Sequence, residues 1–451
     1  MDSVLLGLAG VLGNDRVEVD GARVATVSRD ESDLPPARPL AVVRPRHTQD
    51  VVAVVRACHD ARLPLTARGG GTSLEGSSVP SVGAIVLDLS DLARVAQTSV
   101  EERLAVVEAG VVFDRLNERL RPTGLFFPPT PGGSADAATI GGMVATDAGG
   151  LYAVRYGGTR RWVRGLTVVT GDGTILHTGS RLPKTSTGVD LTQVFVGAEG
   201  TLGIVTEVTL GLCPVPEARQ RAAWAFDDLG TACACVADLL LGIPDLAAVE
   251  VVDRGTVDLL RAGADGAGAP AGDLLLIEVH GRASECAAAI QAACDIASTF
   301  GARPVDGATD PWELRHRLTR AVRESAAPSG VVRTDAAVPL PRLAAFVAAT
   351  QERAAARGRR LHVFGHAGLG ILHFLAPLAG AGAWPLDEAR DWKVALCVEA
   401  TRQGGVVSGE HGVGLGNREA YLATAGATLP YLRALKSVFD PAGILNPGKI
   451  L

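Results

Sequence analysis

Imidazole and carboxylate side chains gather in one region of this chain. The run Gly365-His366-Ala367-Gly368-Leu369-Gly370-Ile371-Leu372-His373 carries two histidines, and Ser408-Gly409-Glu410-His411-Gly412-Val413-Gly414 adds a Glu-His pair between glycines. Four of the nine histidines, His362, His366, His373 and His411, fall in this region. Imidazole nitrogen with carboxylate oxygen suits a borderline divalent ion such as zinc or manganese. Three protein ligands leave a coordination position open, which catalysis needs and a structural site does not. Glycines beside Glu410 and His411 let the backbone turn sharply and leave room for a substrate. Two histidines at this spacing also fit hydrogen-bonded core residues beside a strand, so the spacing alone decides nothing. Their clustering with Glu410 is what points to a metal.

The frame around these residues is large. A chain of 451 residues exceeds what one core usually supports, which predicts two domains. With 47% apolar and 20% charged residues and no biased tract, it reads as globular. A net charge of −6, without a Lys/Arg run or an aromatic–basic stripe, argues against a nucleic-acid partner. The seven scattered cysteines form no Cys-x-x-Cys pair. They read as small buried residues in a reducing compartment, with no four-cysteine iron–sulfur framework. The N-terminus has no basic leader and no segment reaches 18 uninterrupted apolar residues. A cytoplasmic protein is expected, with peripheral membrane attachment left open.

Residues 47–62 predict a helix, with Val51, Val54, Val55 and Cys58 on one face and Thr48 as N-cap. A strand over Leu63–Ala67 runs into Arg68-Gly69-Gly70-Gly71-Thr72-Ser73-Leu74-Glu75-Gly76, and Ile85, Leu87 and Leu89 alternate in a further strand. Such a loop offers successive N–H groups to phosphate oxygens, and fits a tight surface turn equally well. It is neither a Walker loop nor a Rossmann fingerprint. A second small-residue segment runs from Pro128 to Gly150, and Val196–Thr206 is a third, entering a β-branched strand. Between them, Leu166–Thr170 and Thr174–Thr178 predict a hairpin around Gly171-Asp172-Gly173. After Pro216, helices (Thr231–Leu241, Ala283–Phe300, Leu340–Gly358) alternate with strands (Asp273–His280, Leu361–Phe364), and the Gly/Ala-rich stretch 262–272 reads as a surface loop. The tail Phe439–Lys449 holds too many turn formers for a helix.

In this order, the motifs resemble the vanillyl-alcohol-oxidase type of FAD enzymes. Within that group they resemble the FAD-linked 2-hydroxyacid dehydrogenases: D-lactate dehydrogenase, the glycolate oxidase flavin subunit and D-2-hydroxyglutarate dehydrogenase. The resemblance spans about residues 25–451. It implies an α+β fold: a two-subdomain FAD-binding domain over 1–216, a substrate cap domain over 217–425 and a segment 426–451 returning to the first domain. The cap domain would hold a ferredoxin-like sheet with helices and carry the metal site.

By the same resemblance Arg68, Gly69, Gly70, Gly71, Thr72 and Ser73 wrap the FAD pyrophosphate. Pro131, Gly132, Thr139, Gly141, Gly142, Gly149 and Gly150 line the flavin and ribityl chain. Glu199, Gly200, Gly203 and Ile204 contact the isoalloxazine or adenosine portion, with Asn446 near the ring. Relatives that bind FAD covalently often use a histidine in the first loop; none lies between 60 and 176 here, so non-covalent FAD is expected. His366, His373 and Glu410 match metal ligands (zinc, with manganese or iron as alternatives), and His411 matches the catalytic base. Arg315 and Thr319 match substrate-binding positions, and Arg333 stands where many relatives carry lysine. Without that context, the two arginines would read as salt-bridge partners.

Three departures bear on substrate. Relatives read Gly-Asp-Gly-Asn-Leu-His where this chain has Gly368-Leu369-Gly370-Ile371-Leu372-His373, Leu375 replaces a polar residue, and Asp147 replaces an asparagine. The apolar wall disfavours a second carboxylate on the substrate, or else weakens the metal site itself. The expected reaction is oxidation of a D-2-hydroxyacid, lactate-like or a hydrophobic monocarboxylate, to the 2-oxoacid; glycolate and D-2-hydroxyglutarate are the alternatives. A flavin-dependent ether-lipid synthase-like enzyme and a non-catalytic FAD-binding homologue are the readings from other classes. The resemblance leaves the electron acceptor open among a quinone, a cytochrome, an electron-transfer flavoprotein and oxygen, and implies a homodimer.

Overall fold

The computed structural model describes residues 2–262, 270–305 and 310–451, so most of the 262–272 stretch lies outside the described residues. Two compact units divide the chain. The first comprises Met1–Gly149, Gly158–Val215 and His411–Leu451; the second comprises Gly150–Gly157 and Pro216–Glu410. The chain thus re-enters the first unit at His411, upstream of the residue 426 that the resemblance implied, by way of a glycine-rich turn.

The first unit holds strands β1 (Val17–Glu18), β2 (Ala41–Val43), β3 (Leu65–Arg68) and β4 (Ile85–Asp88) in the order β1-β2-β4-β3. Both neighbours of β4 run parallel to it. Ile85 and Leu87 enter one core with Val43, Leu65 and Val55, while Val86 enters another with Val24, Val27 and Val42. The strand is therefore buried on both faces, as parallel strands are, and not on the single face that alternation suggested. A second, antiparallel sheet runs β5-β6-β10-β8-β9, with β5 Val95–Ser99, β6 Leu104–Glu108, β8 Val163–Val169, β9 Ile175–Gly179 and β10 Ile204–Gly211. The pair β8–β9 is the expected hairpin. Strands β7 (Leu125–Phe126) and β11 (Cys213–Pro214) form a separate pair.

Two local readings change in this unit. The helix Thr48–Ala61 is capped by His47, with Asp50 Oδ2 accepting from the His47 and Arg46 N–H groups, so Thr48 is its first residue. The Thr48 hydroxyl instead meets Thr206 Oγ1 at 3.0 Å. A helix also forms at Ile140–Thr146, inside the small-residue segment, with the Thr139 hydroxyl accepting from Gly142 N–H.

The second unit is built on seven strands in the order β15-β12-β14-β13-β17-β18-β16. They are β12 Ala218–Phe226, β13 Leu246–Val252, β14 Asp273–Gly281, β15 Arg303–Pro304, β16 Val331–Ala337, β17 His362–Gly365 and β18 Ile371–Pro377, all paired antiparallel. Side chains alternate between two cores. Val249, Val251, Leu275, Ile277, Leu372 and Phe374 pack with the helices Leu229–Gly242, Ala283–Thr299 and Leu340–Ala355. Ala248, Val252, Leu276, Phe364 and Leu375 pack with Val257 and Leu260 of the helix Arg254–Ala262 and with Trp312, Leu314 and Leu318 of the helix Pro311–Ser325. The helices read from sequence differ by no more than three residues at either end. Among the described residues, no helix is long and apolar enough to cross a membrane.

Candidate active site

In the first unit, the glycine loop leaves the carboxyl end of β3, where open α/β sheets place ligands. A Cβ on Gly69 would lie 2.1 Å from Thr139 Oγ1, and one on Gly70 would lie 1.9 Å from Ala137 O, so glycine at both lets the first two small-residue loops touch. Gly71 has φ +71, and the Arg68 guanidinium lies across it while Nη1 donates to Arg29 O at 2.7 Å. No backbone carbonyl among the described residues accepts from the N–H groups of Gly70, Gly71 or Thr72. That donor set suits phosphate oxygens, so this loop fits FAD. Gly200 sits beside Ala67 and Asn446, which brings the third loop and the tail to the same place. The Asn446 amide donates to Ser77 O and Glu199 O, and thus ties loops together. Gly203 and Ile204 face the core, and Gly132 has open space around it; these are not brought to the cluster. Gly150 belongs to the second unit. Asp147 ends its helix at φ +51, where asparagine is favoured, and its carboxylate is paired with Arg160 at 2.8 Å.

Replacing Gly70 with alanine is expected to force the two loops apart. Overpacking of this kind costs about 1–3 kcal/mol, so FAD affinity is expected to fall about 5- to 150-fold. Flavin absorbance of the purified variant after dialysis checks this.

His411 opens the last stretch of the first unit, and its Nδ1 lies 3.9 Å from Glu75 Oε1. Glu75 is buried, and its backbone carbonyl accepts from Leu415 and Gly416. Glu199 accepts from Val413 N–H at 2.6 Å, Gly414 N–H at 2.8 Å and the Ser77 hydroxyl. Burial pushes the Glu199 carboxyl above its ordinary range, with those hydrogen bonds acting in the other direction. Lys449, unnoticed in the sequence, is buried with Nζ on Ser77 O and Asn446 Oδ1, and desolvation lowers its pKa to about 7.

In the second unit, His366 Nε2 lies 3.2 Å from Glu410 Oε2 and His373 Nε2 lies 3.3 Å from Glu410 Oε1. The two imidazoles stand 5.3 Å apart at 84°, and one donor atom from each of the three residues falls within 4.8 Å of the others. The 3.2 and 3.3 Å separations are those between ligand atoms sharing an ion at about 2.0–2.2 Å, so the trio fits a divalent metal. Glu410 is held by its backbone, which donates to Asp335 Oδ2 at 2.6 Å, while Ser408 Oγ donates to Oδ1 at 2.8 Å. Register places Asp335 opposite His373 and Arg333 opposite Leu375.

Behind His366 stands Glu250, which sequence reading missed. Its Oε1 lies 2.6 Å from His366 Nδ1 and its Oε2 accepts from Arg315 Nε at 2.7 Å. Burial raises the Glu250 carboxyl, but the His366 and Arg315 charges outweigh it and hold it below the ordinary range. Burial likewise opposes a proton on His366, yet Glu250 and then Glu410 lift its pKa to about 10. The signal was a single glutamate in the otherwise apolar strand Leu246–Val252. Arg315 spends Nε on Glu250, while Nη1 and Nη2 donate to no acceptor among the described residues. Thr319 lies one turn further along the same helix, half-buried. Arg333 is buried at 5% exposure on β16. Ile371 packs against Gly409, whose Cβ would meet it at 2.6 Å, so the substituted motif does adjoin the Glu410 turn. Leu375 joins the core with Phe364 and Trp312.

The class follows from comparison with known proteins. Residues 39–179 match the FAD binding domain, and residues 215–450 match the C-terminal domain of FAD linked oxidases. The chain belongs to the FAD-linked oxidases, enzymes that are flavoprotein oxidoreductases. A probable mitochondrial D-lactate dehydrogenase of Danio rerio is 33% identical, with 100% of this chain and 92% of that protein covered. The glycolate oxidase subunit GlcD of Bacillus subtilis is 32% identical, with 98% and 95% covered. Substrate-bound p-cresol methylhydroxylase superposes with a TM-score of 0.81 at 18% identity, covering 100% of this chain and 96% of that one. An alkyldihydroxyacetonephosphate synthase does so with 0.79 at 18%, covering 100% and 86%. The last two show the shared vanillyl-alcohol-oxidase type fold and nothing about substrate.

Proposed function

We propose that this chain oxidises a D-2-hydroxyacid, a monocarboxylate of lactate type or one with a longer apolar side chain, to the 2-oxoacid, using FAD bound without a covalent link. The observation that carries this is the convergence of His366, His373 and Glu410, backed by a carboxylate that also holds Arg315. The relatives named for lactate and glycolate support a small 2-hydroxymonocarboxylate.

When bound, FAD would supply the acceptor for a hydride from the substrate Cα. A divalent ion, zinc before manganese or iron, held by His366, His373 and Glu410 would supply a Lewis acid that makes the hydroxyl acidic near neutral pH. His411 takes the hydroxyl proton on the ring nitrogen remote from Glu75, which favours the tautomer that leaves that nitrogen basic. The Nη pair of Arg315 receives the carboxylate as a planar fork, with Thr319 beside it and Arg333 adding charge. Ile371 and Leu375 provide no partner for a second carboxylate. Burying one unpaired is costly enough to lower kcat/KM for D-2-hydroxyglutarate about 100-fold below that for D-lactate. Onward electron transfer goes to a quinone, a cytochrome, an electron-transfer flavoprotein or oxygen, and the assembly we propose is a homodimer.

The test is anaerobic flavin absorbance of zinc-replete protein titrated with D- and L-2-hydroxyacids. Rapid bleaching by a D-monocarboxylate, abolished by a chelator and restored by zinc, is expected. Bleaching indifferent to the chelator would remove the metal from the mechanism. Bound FAD that no 2-hydroxyacid bleaches would overturn the reading.

A further inference from the structure

We infer that Glu250 is a positioning residue that couples the metal ligand His366 to the substrate-binding Arg315, so that metal affinity and carboxylate affinity are linked. The inference rests on the proposed activity for the role of Arg315, and on geometry for the rest. Glu250 is the one charged residue of the strand Leu246–Val252 and is fully buried. Its neighbours on the same face of that strand, Ala248 and Val252, pack into the apolar core under the helix Pro311–Ser325. A carboxylate in such a place is expensive unless paired, and here each oxygen has its own N–H partner, His366 Nδ1 on one and Arg315 Nε on the other.

The two oxygens are divided between the two halves of the chemistry. Oε1 at His366 Nδ1 fixes the tautomer with Nδ1–H, which turns the Nε2 lone pair toward Glu410 and the ligand cluster. Oε2 takes the Nε–H of Arg315, which leaves the Nη pair as the end that meets an anion. Arg315 also lies over the Phe364 ring at 5.2 Å, and that ring stands 5.6 Å from His373. The guanidinium is thus fixed against both histidine-bearing strands, β17 with β18, as well as against β13.

One negative charge shared between two N–H donors makes them compete. A substrate carboxylate on the Nη pair draws on the guanidinium charge and leaves more of the Glu250 charge for His366, which strengthens it as a ligand. An ion on His366 works back on Arg315 by the same amount, since coupling is reciprocal.

Glutamine at 250 keeps the shape but offers one oxygen to two N–H donors. Its amide N–H₂ must therefore face His366 or Arg315 and lose that contact. Zinc affinity, measured by competition with a chromogenic chelator on FAD-loaded, metal-stripped protein, is expected to fall about 10–100-fold in Glu250→Gln. KM for the 2-hydroxyacid should rise with it, and Glu250→Asp should recover part of both. Arg315→Met should raise zinc affinity several-fold, because the whole Glu250 charge then serves His366, while KM rises. Flavin content and melting temperature report whether each variant is folded. Should Glu250→Gln fail to fold, the zinc affinity of Arg315→Met decides alone. Unchanged zinc affinity in Arg315→Met, with flavin intact, would overturn the coupling whatever the turnover. Wild-type protein that binds zinc yet bleaches with no 2-hydroxyacid would overturn the proposed activity, and the zinc measurements would still decide the linkage.

Discussion

Replacing His411 with alanine is expected to lower kcat about 10²–10⁴-fold, with flavin and metal content unchanged. The residue is placed by its own turn. Gly412 and Gly414 sit at φ +86 and +50, and a Cβ on Gly414 would lie 2.1 Å from Glu75 O. The N–H groups on either side of that turn are committed to Glu199 and Glu75. The imidazole at 411 is thereby presented with Nδ1 toward the Glu75 carboxylate and only 7% of its side chain exposed. Alanine removes the imidazole and leaves in place the backbone bonds of the turn to Glu199 and Glu75, so the loss falls chiefly on kcat. Single-turnover flavin bleaching measures it directly. A variant that bleaches at more than a tenth of the wild-type rate would take the base role from His411. Glu75→Gln should show a smaller loss in kcat, since it weakens the tautomer preference without removing the base.

Much of this site was written in the sequence, and what was not has physical reasons. The three ligand candidates and His411 were legible as a cluster because His, Glu and Gly gathered where a 451-residue chain has few histidines. Glu250 was hidden because β-strands advertise only alternation, and a buried strand of Leu, Ala and Val gives no sign of which face its one glutamate takes. The helix Ile140–Thr146 was hidden by Gly141 and Gly142, poor helix formers. A Cβ on Gly141 would strike Ala109 at 2.6 Å, so close packing overrides propensity there. The excursion Gly150–Gly157 left no compositional mark, although Tyr156 OH to His280 Nδ1 at 2.8 Å and Tyr152 OH to Glu278 at 3.1 Å pin it to the second unit. Glu75 was read as part of a phosphate loop, because nothing local tells that its carboxylate turns toward a histidine more than 300 residues away.

Replacing His373 with alanine is expected to remove the metal and cut turnover about 10³-fold or more, the equivalent of several kcal/mol of Lewis-acid stabilisation. The choice of His373 over His366 matters. His366 satisfies one oxygen of the buried Glu250, and leaving a buried acceptor without its donor is destabilising in itself, so its loss would mix damage to the fold with loss of metal. His373 has no such duty to Glu250. It projects from β18 between Leu372 and Phe374, which face the opposite core, and its orientation is set by register with Phe364 and Asp335. Alanine there leaves those strands paired and leaves His366 and Glu410 as the remaining donors, too few to hold zinc against water and chelator. The variant should therefore match chelator-treated wild type in zinc content and rate, ignore further chelator, and keep its FAD, because the glycine loops that fit the cofactor belong to the other unit. Zinc retained at one ion per chain, with rapid bleaching intact, would show that His373 is a core histidine, as its spacing from His366 alone allowed.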